Sequence, residues 1–148
     1  MTLEERLKTD LTRAMKEKEE VKTSTLRMLI SDIRYAQIEK RAPLTDEDIQ
    51  AVISKSVKKH QDSIEMYSNG GRDDLAQREE AEIEILKSYL PRQLSRSEIA
   101  QLVEEAIMQT GASSRKEMGK VMQALMPQVK GKADGKLVSS VVQEKLAE

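Results

Sequence analysis

The chain has 148 residues, and 25 Lys and Arg side chains stand against 26 Asp and Glu, for a formal net charge of -1 at pH 7. This balance excludes a strongly basic nucleic-acid-binding chain, so any RNA contact has to come from a local patch of lysines. The absence of cysteine excludes disulfide frameworks, cysteine-rich zinc sites and thiol nucleophiles.

The first residues are polar and acidic, and they lack the apolar run of a secretory signal. No apolar stretch approaches the roughly 20 residues that cross a bilayer, so we expect a cytoplasmic protein without a membrane contact. Aromatic residues make up 2% of the chain, which disfavours RNA-recognition sheets and OB-folds that stack bases. The core is therefore expected to consist of Leu, Ile, Val, Ala and the eight Met.

Four amphipathic helices are predicted in the N-terminal part of the chain, each with an apolar stripe at helical spacing. Thr2-x-x-Glu5 is a capping-box signal for the first helix, and the acidic run after Thr45 favours another helix N-terminus. The charged stretch 16–22 is interpreted as a connection or a frayed helix end, and Pro43 is expected to stop the second helix. The predicted helices cover residues 2–15, 24–41, 45–69 and 73–90.

Three shorter helices are predicted after Pro91, where the apolar stripes restart. Pro127 is expected to end the second of these three helices. No segment alternates apolar and polar residues, so no strand is expected. The sequence thus predicts an all-α fold, with an N-terminal domain of about four helices over 1–92 and a C-terminal three-helix domain over 93–148. The helix-start signals in the second domain are Ser95-x-x-Glu98, Ser114-x-x-Glu117 and Asp134.

No catalytic constellation is present in the sequence. His60 is the only histidine, and we interpret it as a half-buried side chain with a hydrogen-bonded polar edge and not as a general base. The acidic residues at 46–48 are interpreted as helix capping and those at 79–84 as a solvated helix face, so no metal site is expected. No nucleophile elbow, phosphate-binding loop or dinucleotide fingerprint occurs, so we expect no catalytic residue and no cofactor.

The most informative stretch is Lys130-Gly131-Lys132-Ala133-Asp134-Gly135-Lys136. Free backbone amides at a helix N-terminus, with lysines around them, suit a phosphate oxygen. The alternative interpretation is a flexible loop in which Asp134 caps the helix. Arg115, Lys116 and Lys120 are expected to extend the same basic patch. A second basic cluster is interpreted as a solvated face of the third helix, and it consists of Lys55, Lys58 and Lys59.

Four motifs follow one another along the chain: YLPRQLS at 89–95, GASS at 111–114, MGKVM at 118–122 and KGKADGKLV at 130–138. Together they resemble the YqeY family over essentially the whole chain. The part from Ser95 onward is also similar to the C-terminal domain of GatB, a subunit of the glutamine-dependent tRNA amidotransferase. That resemblance implies the tRNA-contacting module of GatB without its catalytic domain, for which this chain has no room.

We therefore expect a tRNA-binding accessory module that acts in tRNA-dependent amidation or translation. One alternative is a protein-interaction adaptor for an amidotransferase subunit or a synthetase. The other is a carbon–nitrogen ligase with glutamine as amido donor, which the family similarity implies although no catalytic constellation supports it. By motif matching, the resemblance implies RNA contacts from Lys120, Lys130, Lys132 and Lys136, with Gly119 and Gly131 allowing close approach of backbone or ligand.

Overall fold

The computed structural model describes residues 1–146, which form seven α-helices and no strand. The predicted all-α fold is thus confirmed. The chain divides into two compact units, one over Met1–Leu90 and the other from Pro91 onward. Within the described residues, every helix is too short or too polar to cross a membrane.

The first unit contains four helices: α1 (Leu3–Lys16), α2 (Glu20–Lys40), α3 (Asp46–Asn69) and α4 (Asp73–Lys87). Helices α3 and α4 pack along each other and are joined by a short turn in which Gly71 has a φ of 74°. A left-handed backbone of this kind favours glycine because a Cβ atom would be strained there. The core of the unit includes the fully buried side chains of Leu7, Leu26, Leu29, Ile33, Ile49, Ile53 and Leu86.

Reciprocal capping sets the starts of α1 and α3. The hydroxyl of Thr2 accepts the N–H of Glu5, and the Glu5 carboxylate accepts the N–H of Thr2. Thr45 and Asp48 form the same pair at α3. Each pair satisfies two backbone amides that have no partner inside the helix, so the predicted helix starts are confirmed. The Asp46 carboxylate also accepts the N–H of Leu3, which links the two starts.

The connection between α1 and α2 is shorter than the predicted stretch 16–22. Helix α2 already begins at Glu20, and Lys18 takes the left-handed conformation with a φ of 57°. Glu and Lys are good helix formers, so a high density of charge does not end a helix. Helix α4 ends at Lys87, before the predicted limit at residue 90.

The second unit contains α5 (Arg96–Thr110), a 3₁₀ turn (Arg115–Glu117), α6 (Met118–Val129) and α7 (Gly135–Lys145). Helix α5 packs against both α6 and α7. The predicted capping box at Ser95 is confirmed, since its hydroxyl accepts the N–H of Glu98. This unit has its own core, which includes Ile99, Val103, Val121, Leu125, Val138 and Val142.

Two sequence predictions in the second unit are wrong. Ser114 makes no side-chain cap, and the Glu117 carboxylate instead accepts the N–H of Ser113 at 2.6 Å. Pro127 lies inside α6, which continues to Val129. Proline removes one backbone hydrogen bond from a helix. Val129 is 2% exposed, and its burial in the core favours the continued helix.

Methionine does not fill the cores, contrary to the expectation from composition. Met118 and Met122 are half-buried, and the other six methionines are exposed. A buried methionine loses more rotamer freedom than a buried Leu, Ile or Val, which makes the branched residues better core material. The exposed methionines are Met1, Met15, Met28, Met66, Met108 and Met126.

Candidate nucleic-acid interface

Residues 130–136 connect α6 to α7, and we call this segment the lysine turn. Lys130, Lys132 and Lys136 are all exposed. None of the three forms an ion pair with another residue of the described range 1–146. The turn therefore presents three ammonium groups to solvent, and an ammonium group is a mobile point charge that suits phosphate oxygens.

Backbone hydrogen bonds stabilise the lysine turn. Gly131 has a φ of 75°, which explains the glycine at this position. The N–H groups of Lys132 and Ala133 both donate to the carbonyl oxygen of Val129, at 2.9 and 3.1 Å. These bonds close the C-terminal end of α6 and leave the lysine side chains on an ordered turn.

The segment just before α5 also forms hydrogen bonds with the lysine turn. The N–H of Leu94 donates to the carbonyl of Lys132 at 2.8 Å. The side-chain amide of Gln93 donates to the carbonyls of Gly131 and Pro91 at 3.0 and 2.9 Å. Two of the sequence motifs, 89–95 and 130–138, are thus in direct contact, which no local sequence signal indicates.

The N-terminus of α7 is capped from within the lysine turn. The Asp134 carboxylate accepts the N–H of Lys136 at 3.2 Å and forms the N-cap of the helix. A carboxylate therefore occupies the position that the sequence analysis considered for a phosphate oxygen. The lysine side chains, and not the helix amides, are the groups through which this turn can bind an anion.

Lys120 does not lie with the other three predicted RNA-contacting lysines. It sits near the start of α6, whereas Lys130 follows its last residue. Ten residues of α-helix put their backbones about 15 Å apart along the axis. Lys116 and Arg115 precede α6 at the same far end, and the Arg115 guanidinium donates to the carbonyl of Gln143. The expected single basic patch is therefore divided between the two ends of α6.

Gly119 is exposed on the first turn of α6, and an added Cβ would meet no protein atom within 4 Å. The packing of the protein itself thus does not require glycine here. The predicted role of Gly119 in ligand approach stays a prediction.

The second basic cluster lies on the exposed side of α3. Lys55, Lys58 and Lys59 are all exposed, as expected for a solvated helix face. They carry the same number of positive charges as the lysine turn but lie in the first unit. This makes them a matched control for the lysine turn.

One polar site was missed by the sequence analysis. His60 is 7% exposed, and both ring nitrogens have hydrogen-bond partners, Ser56 and Glu82. Glu82 is only 9% exposed, so the interpretation of 79–84 as a solvated face is wrong at this position. The available signal was helical spacing, which puts Glu82 close to the inward face of α4 that carries Ile83 and Leu86.

Comparison with known proteins finds one matching family model and several relatives with between 32% and 40% identity. A family model described as Yqey-like protein matches residues 4–146. Altered inheritance of mitochondria protein 41 of Pyrenophora tritici-repentis is 32% identical over 143 residues, which cover 94% of this chain and 78% of that protein. Its namesake in Lachancea thermotolerans is 40% identical over 85 residues, or 57% of this chain and 46% of that protein. An uncharacterized protein of Schizosaccharomyces pombe is 35% identical over 82 residues.

The names of the first two relatives describe them as mitochondrial. The sequence analysis expected a cytoplasmic chain, and that location stays a prediction. None of the three names states an activity, a substrate or a partner.

Proposed function

The chain belongs to the YqeY-like family, and we propose that it is an accessory module that binds tRNA through the lysine turn. The module would act in tRNA-dependent amidation or translation. The observation that carries the proposal is the exposure of Lys130, Lys132 and Lys136, which form no ion pair in the described residues and lie on a hydrogen-bonded turn. The similarity of this part of the chain to the tRNA-contacting tail of GatB supports the choice of tRNA over other polyanions.

The chemistry favours recognition of the RNA backbone and not of the bases. Lysine ammonium groups neutralise phosphates without reading sequence. The second unit contains no aromatic side chain on which an unpaired base could stack. Affinity is therefore expected to be modest and sensitive to salt, because three lysines neutralise few phosphates.

The test is binding of purified protein to bulk tRNA across a salt series. The lysine-turn variant carries Lys130→Ala, Lys132→Ala and Lys136→Ala. If each lysine neutralises one phosphate, the slope of log affinity against log salt concentration falls by about 2–3 in this variant. The control variant carries Lys55→Ala, Lys58→Ala and Lys59→Ala, which removes the same charge from α3, and it should keep the wild-type slope.

Two results would contradict the proposal. Equal loss of affinity in the two triple variants would indicate attraction by overall charge and not by the turn. Lack of tRNA binding by the wild type at low salt would reject RNA binding altogether. It would favour the protein-interaction adaptor, whose partner would be sought among amidotransferase subunits and synthetases.

A further inference from the structure

His60 on α3 faces two carboxylates on α4 in the first unit. Its Nε2 atom is 2.7 Å from Oε2 of Glu82 and 3.5 Å from Oε2 of Glu79. One potential ligand atom from each of the three residues lies within 4.8 Å of the other two. His60 and Glu82 are buried and Glu79 is half-buried. Carboxylates withdrawn from water require a compensating cation, so the position between them favours positive charge.

The other ring nitrogen of His60 fixes the orientation of the imidazole. Nδ1 lies 2.8 Å from the carbonyl oxygen of Ser56. A carbonyl oxygen only accepts hydrogen bonds, so Nδ1 carries a proton. Nε2, which faces the two carboxylates, is then the ring nitrogen that can present a lone pair to a metal ion. Metal-binding histidines are commonly held in this way, with the far ring nitrogen donating to a backbone carbonyl.

We propose that His60, Glu79 and Glu82 bind a first-row divalent transition-metal ion, with Zn²⁺ as the best match. Ligand atoms around a tetrahedral Zn²⁺ lie about 2.0–2.1 Å from the metal, which puts them roughly 3.3 Å from one another. The 3.5 Å between Nε2 of His60 and Oε2 of Glu79 is close to that separation. The 2.7 Å contact with Glu82 has to open by roughly 0.6 Å to reach the same geometry.

The donor set selects the class of metal. An imidazole nitrogen with two carboxylate oxygens suits Zn²⁺ and its first-row neighbours, whereas Mg²⁺ and Ca²⁺ prefer oxygen ligands alone. Three protein ligands leave a fourth position for water, and the partial exposure of Glu79 provides access from solvent. Arg78 is the nearest cation, and its Nε lies 3.5 Å from Oε1 of Glu82. Arg78 contacts Oε1 of Glu82, whereas Oε2 faces the metal position. The positive charge of Arg78 lowers the affinity of the site for a metal ion.

In the test, the NMR signals of the His60 imidazole report whether a metal ion binds. His60 is the only histidine in the chain, so in an untagged protein its NMR signals report this site without ambiguity. The full chain, freed of metal by a chelator, is titrated with Zn²⁺ while the Nε2 resonance is followed. Glu79→Gln weakens one ligand at a half-buried position. Glu80→Gln makes the same change at an exposed neighbour and serves as the control.

We expect the Nε2 resonance of the wild type and of Glu80→Gln to shift and saturate at the same Zn²⁺ concentration. Glu79→Gln should need at least tenfold more Zn²⁺. A parallel titration with Co²⁺ should give a d–d absorption band that weakens in the same variant. An unshifted wild-type resonance overturns the proposal whatever the variants do. Equal affinity of the two Gln variants overturns it as well.

Discussion

The phenol hydroxyl of Tyr89 donates a 2.7 Å hydrogen bond to the carboxylate of Asp10, so the segment that follows α4 is tied to α1. The ring of Tyr89 is 5% exposed, and the Arg6 guanidinium lies 4.8 Å from its centroid. Burial, followed by the bond to Asp10, raises the pKa of Tyr89 well above its ordinary value of 10.0. This contact joins α1 to the segment directly after α4.

Tyr89→Phe should lower the free energy of unfolding by about 1–2 kcal/mol, because the variant keeps the ring but loses a hydrogen bond to a charged group. Urea denaturation of the full chain measures this change. The control is Tyr35→Phe, which alters a ring that is 68% exposed and should have little effect. A raised pKa in the folded state stabilises the fold below pH 10. The difference between wild type and Tyr89→Phe should therefore narrow as the pH rises above 10.

Acid should destabilise the first unit partly through Asp48. The hydrogen bond from Lys40, at 2.6 Å, and then that from the N–H of Thr45 lower the pKa of Asp48 from 3.8 to about 2. A lowered pKa in the folded state stabilises the fold above pH 3.8, and this contribution is lost as the pH falls toward 2. In Asp48→Asn, stability should therefore fall less steeply as the pH decreases through this window. An equally steep loss of stability in Asp48→Asn between pH 3.8 and about 2 would contradict this role of Asp48.

Alanine at the two glycines of the candidate interface should have effects of opposite sign. Gly131→Ala places a Cβ at a φ of 75° and should destabilise the protein by roughly 1 kcal/mol. Gly119→Ala adds a methyl group in open space on α6 and should stabilise it by up to about 0.5–1 kcal/mol. Thermal unfolding measures both changes. The salt-dependent tRNA assay on Gly119→Ala then tests whether glycine is needed there for ligand approach, in which case affinity falls although stability rises.

Removing the carboxylate of Glu82 should be costly even without metal. Glu82→Ala removes the shorter of the two carboxylate contacts of the buried imidazole and should cost about 3 kcal/mol. Glu80→Ala, on the exposed side of the same helix, should stay within about 0.5 kcal/mol of wild type. Both are measured by urea denaturation in the presence of a chelator. A small effect of Glu82→Ala would mean that the His60 bond contributes little to the fold.

Features encoded within a few residues were predictable from the sequence. The capping boxes predicted at Thr2 and Ser95 depend on residues three positions apart, and the structure confirms them. The helix start predicted at Thr45 is confirmed as well. Ser114 fits the same pattern and fails, because Glu117 bonds the amide of Ser113 instead. A local sequence pattern indicates which capping hydrogen bonds are possible. The backbone conformation determines which of them form.

Features that depend on packing across the chain were not predictable. His60 and Glu82 are 22 residues apart, and only the pairing of α3 with α4 brings them together. Gln93 and Gly131 are 38 residues apart, and their bond depends on where α5 and α6 place the two segments. For the same reason, the sequence grouped Lys120 with the lysine turn although the length of α6 separates them.

The outward placement of methionine has a consequence for chemical damage. Peroxide and similar oxidants convert thioethers to sulfoxides, which disrupts a protein when the sulfur is packed in its interior. Here the chain has no cysteine, and all eight methionines reach solvent at least in part. Oxidation of the six exposed methionines would change the polarity of the surface, whereas Met118 and Met122 pack against the core of the second unit. Most methionine oxidation is therefore expected to occur at the surface and to leave the fold in place.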